Sequence, residues 1–120
     1  MKNIFYLMQK QLALIFPKRP FRYADVKFFE NGQSFDNGLG RKNIIVVGNR
    51  NNPKWVHFLC PCGCKNQISL NLMKSYYPRW KLKFNADNSV SIYPSVDNSS
   101  CGSHFWIKHN KVYWAKYDTR

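Results

Sequence analysis

Two short cysteine-containing turns are the part of the sequence whose residue types could do chemistry. The first is Cys60-Pro61-Cys62-Gly63-Cys64, with three thiols in five residues, and the second is Cys101-Gly102-Ser103-His104. Thiolate and imidazole are ligands that tetrahedral zinc takes in proteins, often from two separate turns. The sequence therefore predicts one zinc ion, held by ligands drawn from Cys60, Cys62, Cys64, Cys101 and His104.

Five candidate ligands are one more than a closed tetrahedral site needs, so the role of the metal depends on which of them bind. Four thiolates would make a closed, structural site and leave His104 beside it. If His104 binds, one cysteine is left over, and three protein ligands with one water would make a catalytic site. Because thiolates donate electron density and weaken the metal as a Lewis acid, the structural alternative is favoured.

Candidates for catalysis beside such a metal are few. Ser103 and His104 could form a nucleophile–base pair if four thiolates hold the ion. Glu30, or alternatively Asp97, could take the proton from a metal-bound water if His104 is a ligand. His57 alternates with apolar residues and is expected on the face of a strand, although it could also be a ligand or a base. The sequence contains no HExxH peptidase motif.

The chain is strongly basic. Its 120 residues include 19 Lys and Arg against 6 Asp and Glu, for a net charge of +13. Such a charge favours an acidic partner, which could be nucleic acid, an anionic membrane or an acidic protein surface. Aromatic and basic residues interleave over residues 76–83, as in surfaces that bind single-stranded nucleic acid, but a half-buried strand with a solvated basic face shows the same alternation.

The cellular compartment follows from the apolar stretches and the cysteines. No run of about eighteen apolar residues is present, so no membrane-spanning helix is expected. The apolar residues 4–8 are interrupted by Gln9-Lys10-Gln11, and no small-residue cleavage site follows, so we interpret this segment as retained and not as a signal peptide. The expected location is the reducing cytoplasm, where clustered cysteines bind metal more often than they form disulfides.

The elements that must position these residues are mostly strands. Residues 4–16 have helical spacing of apolar side chains, and this predicts an amphipathic helix in an N-terminal extension over residues 1–22. Residues 23–120 are predicted to be a single compact antiparallel β domain, with hairpins tied by the zinc site, so that the chain as a whole is mainly β with one helix (α+β). The predicted strands are 23–29, 43–47, 56–60, 67–72, 80–84, 90–93, 104–108 and 111–115, and residues 94–103 are predicted to be a loop.

Several short motifs in the second half of the chain carry a family resemblance. They are Cys60-Pro61-Cys62-Gly63-Cys64, Leu70-Asn71-Leu72, Tyr77-Pro78-Arg79-Trp80, Pro94-Ser95-Val96 and Cys101-Gly102-Ser103-His104-Phe105-Trp106-Ile107, followed by Val112-Tyr113-Trp114. With these motifs, residues 55–115 resemble a family of small bacterial proteins catalogued as domain of unknown function 6527.

The resemblance implies a zinc-binding protein and an enzymatic role. Some relatives are encoded beside bacterial homologues of ubiquitin-activating and ubiquitin-conjugating enzymes. This implies a zinc-dependent peptidase, similar to a deubiquitinase, that processes a ubiquitin-like protein, with that protein or its conjugation enzymes as partners. The alternative left open by the charge is a non-catalytic, zinc-stabilised basic module that binds nucleic acid or an acidic protein.

Overall fold

A computed structural model describes residues 20–31 and 39–115, and these residues form two β-sheets. Their strands are β1 (Phe21–Arg22), β2 (Asp25–Phe29), β3 (Asn43–Asn49), β4 (Asn52–Leu59), β5 (Gln67–Asn71), β6 (Lys81–Phe84), β7 (Val90–Asn98), β8 (Ser103–Lys108) and β9 (Lys111–Trp114). The prediction of a mainly β chain is confirmed, whereas the predicted N-terminal helix lies outside the described residues. Within these two ranges, no helix long and apolar enough to cross a membrane is found.

The two sheets differ in strand direction. The five-stranded sheet has the order β1-β9-β8-β7-β6, and each neighbouring pair is antiparallel. The four-stranded sheet has the order β2-β3-β4-β5, and β2 pairs with β3 in parallel. The prediction of a wholly antiparallel domain is wrong at this pair. Residues 30–42 connect the two strands, and a connection of about a dozen residues is what returns a chain to the same end of a sheet.

The sheets share one apolar core. Phe58 of β4 meets Phe105 of β8 with ring centroids 6.3 Å apart, and Tyr23 packs on Phe58 at 5.6 Å. Strand β8 alternates, so that Phe105 is buried in this core while its neighbours His104 and Trp106 are half-buried on the opposite face. We call that opposite face the outer face of the five-stranded sheet.

Strand β7 runs further than the sequence predicts because it passes through a bulge. Ile92 and Val96 both pair with β8, and the three residues of β7 between them oppose the single residue Trp106. Pairing with β8 then resumes, so the first half of the predicted loop 94–103 is strand. A bulge changes the direction in which side chains point. Ser95 is the last residue of this bulge, immediately before the regular pairing resumes at Val96.

The loop between β5 and β6 is folded around the buried side chain of Asn71. Its amide nitrogen lies 3.0 Å from the carbonyl oxygen of Tyr76 and 3.2 Å from those of Met73 and Pro78, and its amide oxygen accepts from the Met73 N–H at 3.0 Å. The Trp80 N–H donates to the Asn71 carbonyl at 2.8 Å. One side chain therefore fixes the path of the segment that leads into β6.

We predict that Asn71→Ala lowers the free energy of unfolding by about 2–3 kcal/mol, because it leaves several loop groups without their hydrogen-bond partner. The measurement is urea denaturation followed by circular dichroism. The control is Asn49→Ala, which removes one exposed hydrogen bond to the Asn52 N–H and should cost less than about 1 kcal/mol. Equal losses in the two variants would contradict a structural role for Asn71.

Candidate functional site

The four cysteine sulfurs lie together although they come from two loops. Cys60, Cys62 and Cys64 follow β4, and Cys101 lies in the turn between β7 and β8. The sulfurs of Cys60, Cys62 and Cys101 are 3.4 to 3.6 Å apart, and all four lie within 4.8 Å of one another. This cluster could bind a metal ion. Because β4 and β8 belong to different sheets, an ion held there would link the sheets.

Glycine allows each of the two loops to turn at the cluster. Gly63 has φ +92° and Gly102 has φ +74°, in the left-handed region that side chains with a Cβ rarely adopt. The Gly63 N–H donates to the Cys60 carbonyl at 3.2 Å, and the Gly102 N–H donates to the Asn98 carbonyl at 2.8 Å. These tight turns allow thiols that are neighbours in sequence to point toward the same small region of space.

The surroundings of the sulfurs favour the thiolate at one cysteine more than at another. Burial raises the pKa of Cys62, but hydrogen bonds from Ser103 and from the Cys64 backbone more than offset it and lower that pKa to about 6. Burial raises the pKa of the Cys60 thiol to about 12. Since metal ligation needs thiolates, these surroundings favour the ligand form at Cys62 more than at Cys60.

Asn98 supports the cluster from the end of β7. Its amide nitrogen donates to the Cys101 sulfur at 3.2 Å and lies 3.9 Å from the Cys64 sulfur. Such donors offset the negative charge that thiolates carry around a metal and orient the ligands. The sequence analysis did not single out Asn98, and its only signal there was its position three residues before Cys101.

His104 lies outside this group of sulfurs and contacts a serine. Its Nε2 is 2.8 Å from Oγ of Ser95, which can donate its proton when the imidazole carries its own proton on Nδ1. The imidazole stacks on the Trp106 ring, with centroids 5.7 Å apart and planes at 29°. Asp97, an exposed acid, is directly opposite His104 in the β7–β8 pairing, and opposite residues share a face. A serine–histidine pair therefore lies on the outer face.

The other two residues predicted for catalysis are placed apart from this pair. Ser103 is only 1% exposed, and its Oγ lies 3.1 Å from the Cys101 sulfur. Glu30 is exposed and directly follows β2. At that end of β2, Phe29 pairs with Val47 of β3, which in turn pairs with Trp55 of β4. Cys60 lies five residues beyond Trp55, or about 17 Å further along β4. The structure thus brings Ser103 to the thiols and His104 to Ser95, and it places Glu30 near neither.

Ser95 is the candidate that the sequence analysis did not single out. It entered there only within Pro94-Ser95-Val96, one of the motifs that carry the resemblance. The signal available in the sequence was Pro94, because a proline inside a strand indicates an edge strand or a bulge, and bulges are frequent next to active sites. The register of β7 against β8 was needed to show that the serine meets His104.

A second serine–histidine contact lies in the four-stranded sheet. His57 is directly opposite Ser69, and its Nδ1 is 2.8 Å from the Ser69 Oγ. The Gln67 amide nitrogen lies 3.2 Å from that Oγ and 3.4 Å from the same Nδ1. Burial lowers the pKa of His57. This cross-strand pair sits in regular strand geometry and offers a matched comparison for Ser95 and His104.

Comparison with known protein families shows to which family the chain belongs. Residues 31–115, well over half of the chain, match the family BubE, described as the bacterial ubiquitination-like system serine protease. The chain belongs to the BubE family. No curated protein and no solved structure matches it. The BubE match supports the predicted link to bacterial ubiquitin-like systems and to proteolysis, and the name of the family specifies a serine enzyme.

We predict that each chain binds one metal ion. The metal content and the thermal stability of the protein should depend on the cysteine thiols and not on His104. Removing one of four metal–thiolate bonds in Cys101→Ser should lower the metal occupancy and the unfolding temperature, since metal binding contributes to folding. His104→Ala should retain the ion. Elemental analysis of gel-filtered protein under reducing conditions measures the content. Equal metal loss in His104→Ala would contradict a four-thiolate set and support His104 as a ligand.

Proposed function

We propose that this protein is a serine peptidase that cleaves at the C-terminal tail of a ubiquitin-like protein, with Ser95 as the nucleophile and His104 as the general base. The 2.8 Å contact between Ser95 Oγ and His104 Nε2 carries the proposal, because it is within the range that proton transfer from a nucleophile to its base requires. The BubE description supports both serine chemistry and a substrate from a ubiquitination-like system.

In this mechanism the two side chains perform acyl transfer. Ser95 Oγ attacks the carbonyl carbon of the scissile bond while His104 Nε2 takes the hydroxyl proton. The bond to the leaving group then breaks, and His104 returns the proton to the departing amine. A water molecule, deprotonated by the same imidazole, attacks the acyl-serine. The ester bond to Ser95 Oγ then breaks, His104 returns the proton to that oxygen, and the new C-terminus leaves and ionises to a carboxylate.

The groups around His104 suit it to this role. Stacking on Trp106 restrains the ring and shields one of its faces from water. Asp97, opposite His104, is placed to favour the imidazolium that forms during the reaction, although its exposure limits the strength of that attraction. The Ser69–His57 pair is less suited, because the Gln67 amide lies within hydrogen-bonding distance of both partners and holds them in a fixed network.

We propose further that the metal is zinc and that it is structural. The separations among the Cys60, Cys62 and Cys101 sulfurs, 3.4 to 3.6 Å, are close to the edge of about 3.8 Å in a tetrahedron with zinc–sulfur bonds of about 2.3 Å, and the Cys64 sulfur lies within 4.8 Å of all three. Four thiolates complete that tetrahedron, so His104 remains available to Ser95. The reducing cytoplasm, our proposed location, would keep all four thiols in the form that binds zinc.

We predict that a fluorophosphonate probe labels wild-type protein on Ser95. Ser95→Ala should abolish labelling, and His104→Ala should slow it at least about 100-fold, because the hydroxyl loses its base. Intact mass and peptide mapping give the extent and position of the label. Ser69→Ala and His57→Ala are the matched controls and should label at the wild-type rate. Loss of the label in these two variants instead would assign the chemistry to the other pair.

We predict that the protein removes a C-terminal extension from a ubiquitin-like protein encoded in its own operon. Ser95→Ala should lower kcat/KM at least about 1000-fold, as expected when a nucleophile is lost. Glu30→Gln should leave kcat/KM within about twofold, since no metal-bound water takes part in the proposed mechanism. Mass spectrometry of the products measures cleavage, with metal content checked for each variant. Activity lost in metal-loaded Glu30→Gln would instead support activation of a metal-bound water.

A further inference from the structure

We infer that a cleft beside Ser95 binds a carboxylate of the substrate close to the scissile bond. The cleft has a volume of about 520 Å³, and its lining residues are Tyr77, Arg79, Lys81, Tyr93, Pro94 and Trp106. This inference rests on the proposed function in one respect, namely that the ligand is a peptide substrate. Its chemistry can be tested without catalysis.

The cleft adjoins both members of the serine–histidine pair. Pro94 lines it and immediately precedes Ser95, and Trp106 lines it while stacking on His104. Trp80 lies in sequence between the lining residues Arg79 and Lys81, and its indole N–H donates to the Ser95 carbonyl at 3.3 Å, so this segment is held next to Ser95. A peptide whose carbonyl carbon is presented to Ser95 must therefore pass next to this cleft.

The cations of the cleft lack a carboxylate partner within the protein as described. The Nε atom of Arg79 is buried and has no hydrogen-bond partner among the described residues. The ion pair found in residues 20–31 and 39–115 joins His109 to Asp87, so neither Arg79 nor Lys81 is neutralised there. The planar guanidinium matches a carboxylate, with which it forms short charge-assisted hydrogen bonds.

The aromatic residues of the cleft strengthen this interaction. Tyr77 is 89% exposed and Tyr93 is 40% exposed, although both are large apolar rings. A ligand that covers them would bury these rings and exclude water from around Arg79, and attraction between charges rises as the surroundings become less polar. The cleft is thus built for a chain that combines apolar surface with one negative charge.

Two groups of a peptide could supply the carboxylate. One is the side chain of a Glu or Asp near the scissile bond, and the other is the terminal α-carboxylate of a short extension. A nucleic-acid phosphate has the same charge, but the position of the cleft beside Ser95 favours a peptide. The experiment therefore compares these sources directly.

The test uses the full-length, isotopically labelled Ser95→Ala protein and follows the Arg79 Nε–H and Trp106 indole N–H signals by NMR. The first pair of probes is acetyl-Gly-Glu-Gly-amide and acetyl-Gly-Gln-Gly-amide. The second pair is acetyl-Gly-Gly-Gly with a free or an amidated terminus, and oligothymidine is the fifth probe. We expect the peptide with the favoured carboxylate to shift both signals and to bind at least about 10-fold more tightly than its neutral counterpart.

Variants separate the cleft from the general positive charge. Arg79→Gln and Lys81→Gln should each reduce the difference between charged and neutral peptides to about twofold or less. Lys83→Gln, the same change on the same strand but outside the cleft lining, should preserve the difference. If the carboxylate and neutral peptides bind equally, or if only oligothymidine shifts the two signals, the inference is overturned.

The outcome also distinguishes this inference from the proposed function. Wild-type protein that reacts with fluorophosphonate but shows no carboxylate preference would retain the function and lose the inference. Carboxylate binding by Ser95→Ala, together with wild-type protein that neither reacts nor cleaves, would retain the cleft as an anion site and remove the peptidase proposal.

Discussion

The pairing of β7 with β8 is the constraint on which both candidate sites depend. A bulge in β7 shifts the register of this pairing and brings the Ser95 side chain next to that of His104. At its tip the same hairpin carries Cys101 and Asn98, which complete the thiol cluster. A single local irregularity in backbone pairing thus sets the position of the proposed nucleophile against the proposed base, and the turn that joins the same two strands carries Cys101.

The thiol cluster lies where the tip of that hairpin meets the second sheet. Cys60 is part of the shared core, while Cys101 belongs to the turn that precedes His104. A cation bound by both would oppose the separation of the sheets, in addition to the contacts of Phe58 with Phe105. A metal ion bound there would therefore support the chemistry proposed for His104 by holding β8 in place, without contacting the substrate.

The outer face collects basic and aromatic residues beside the proposed serine–histidine pair. Lys81 and Tyr93 are directly opposite in the β6–β7 pairing, and Asn71 holds the loop that delivers Arg79 beside them. Basic and aromatic residues that alternate along the sequence are brought by the sheet to one side of the serine–histidine pair. This arrangement favours a partner that presents negative charge together with apolar surface.

Local patterns in the sequence determined most of the strands and the two short cysteine-containing turns, since both depend on neighbouring residues. Alternation placed β6 and β8 within one residue of their observed ends, and short spacing grouped Cys60, Cys62 and Cys64, whereas their approach to Cys101 depends on the packing of the two sheets. Tertiary structure alone decided the parallel pairing of β2 with β3, the continuation of β7 beyond Pro94 and the meeting of Ser95 with His104. These features depend on register between strands, which is set by packing of the whole sheet and not by any one segment.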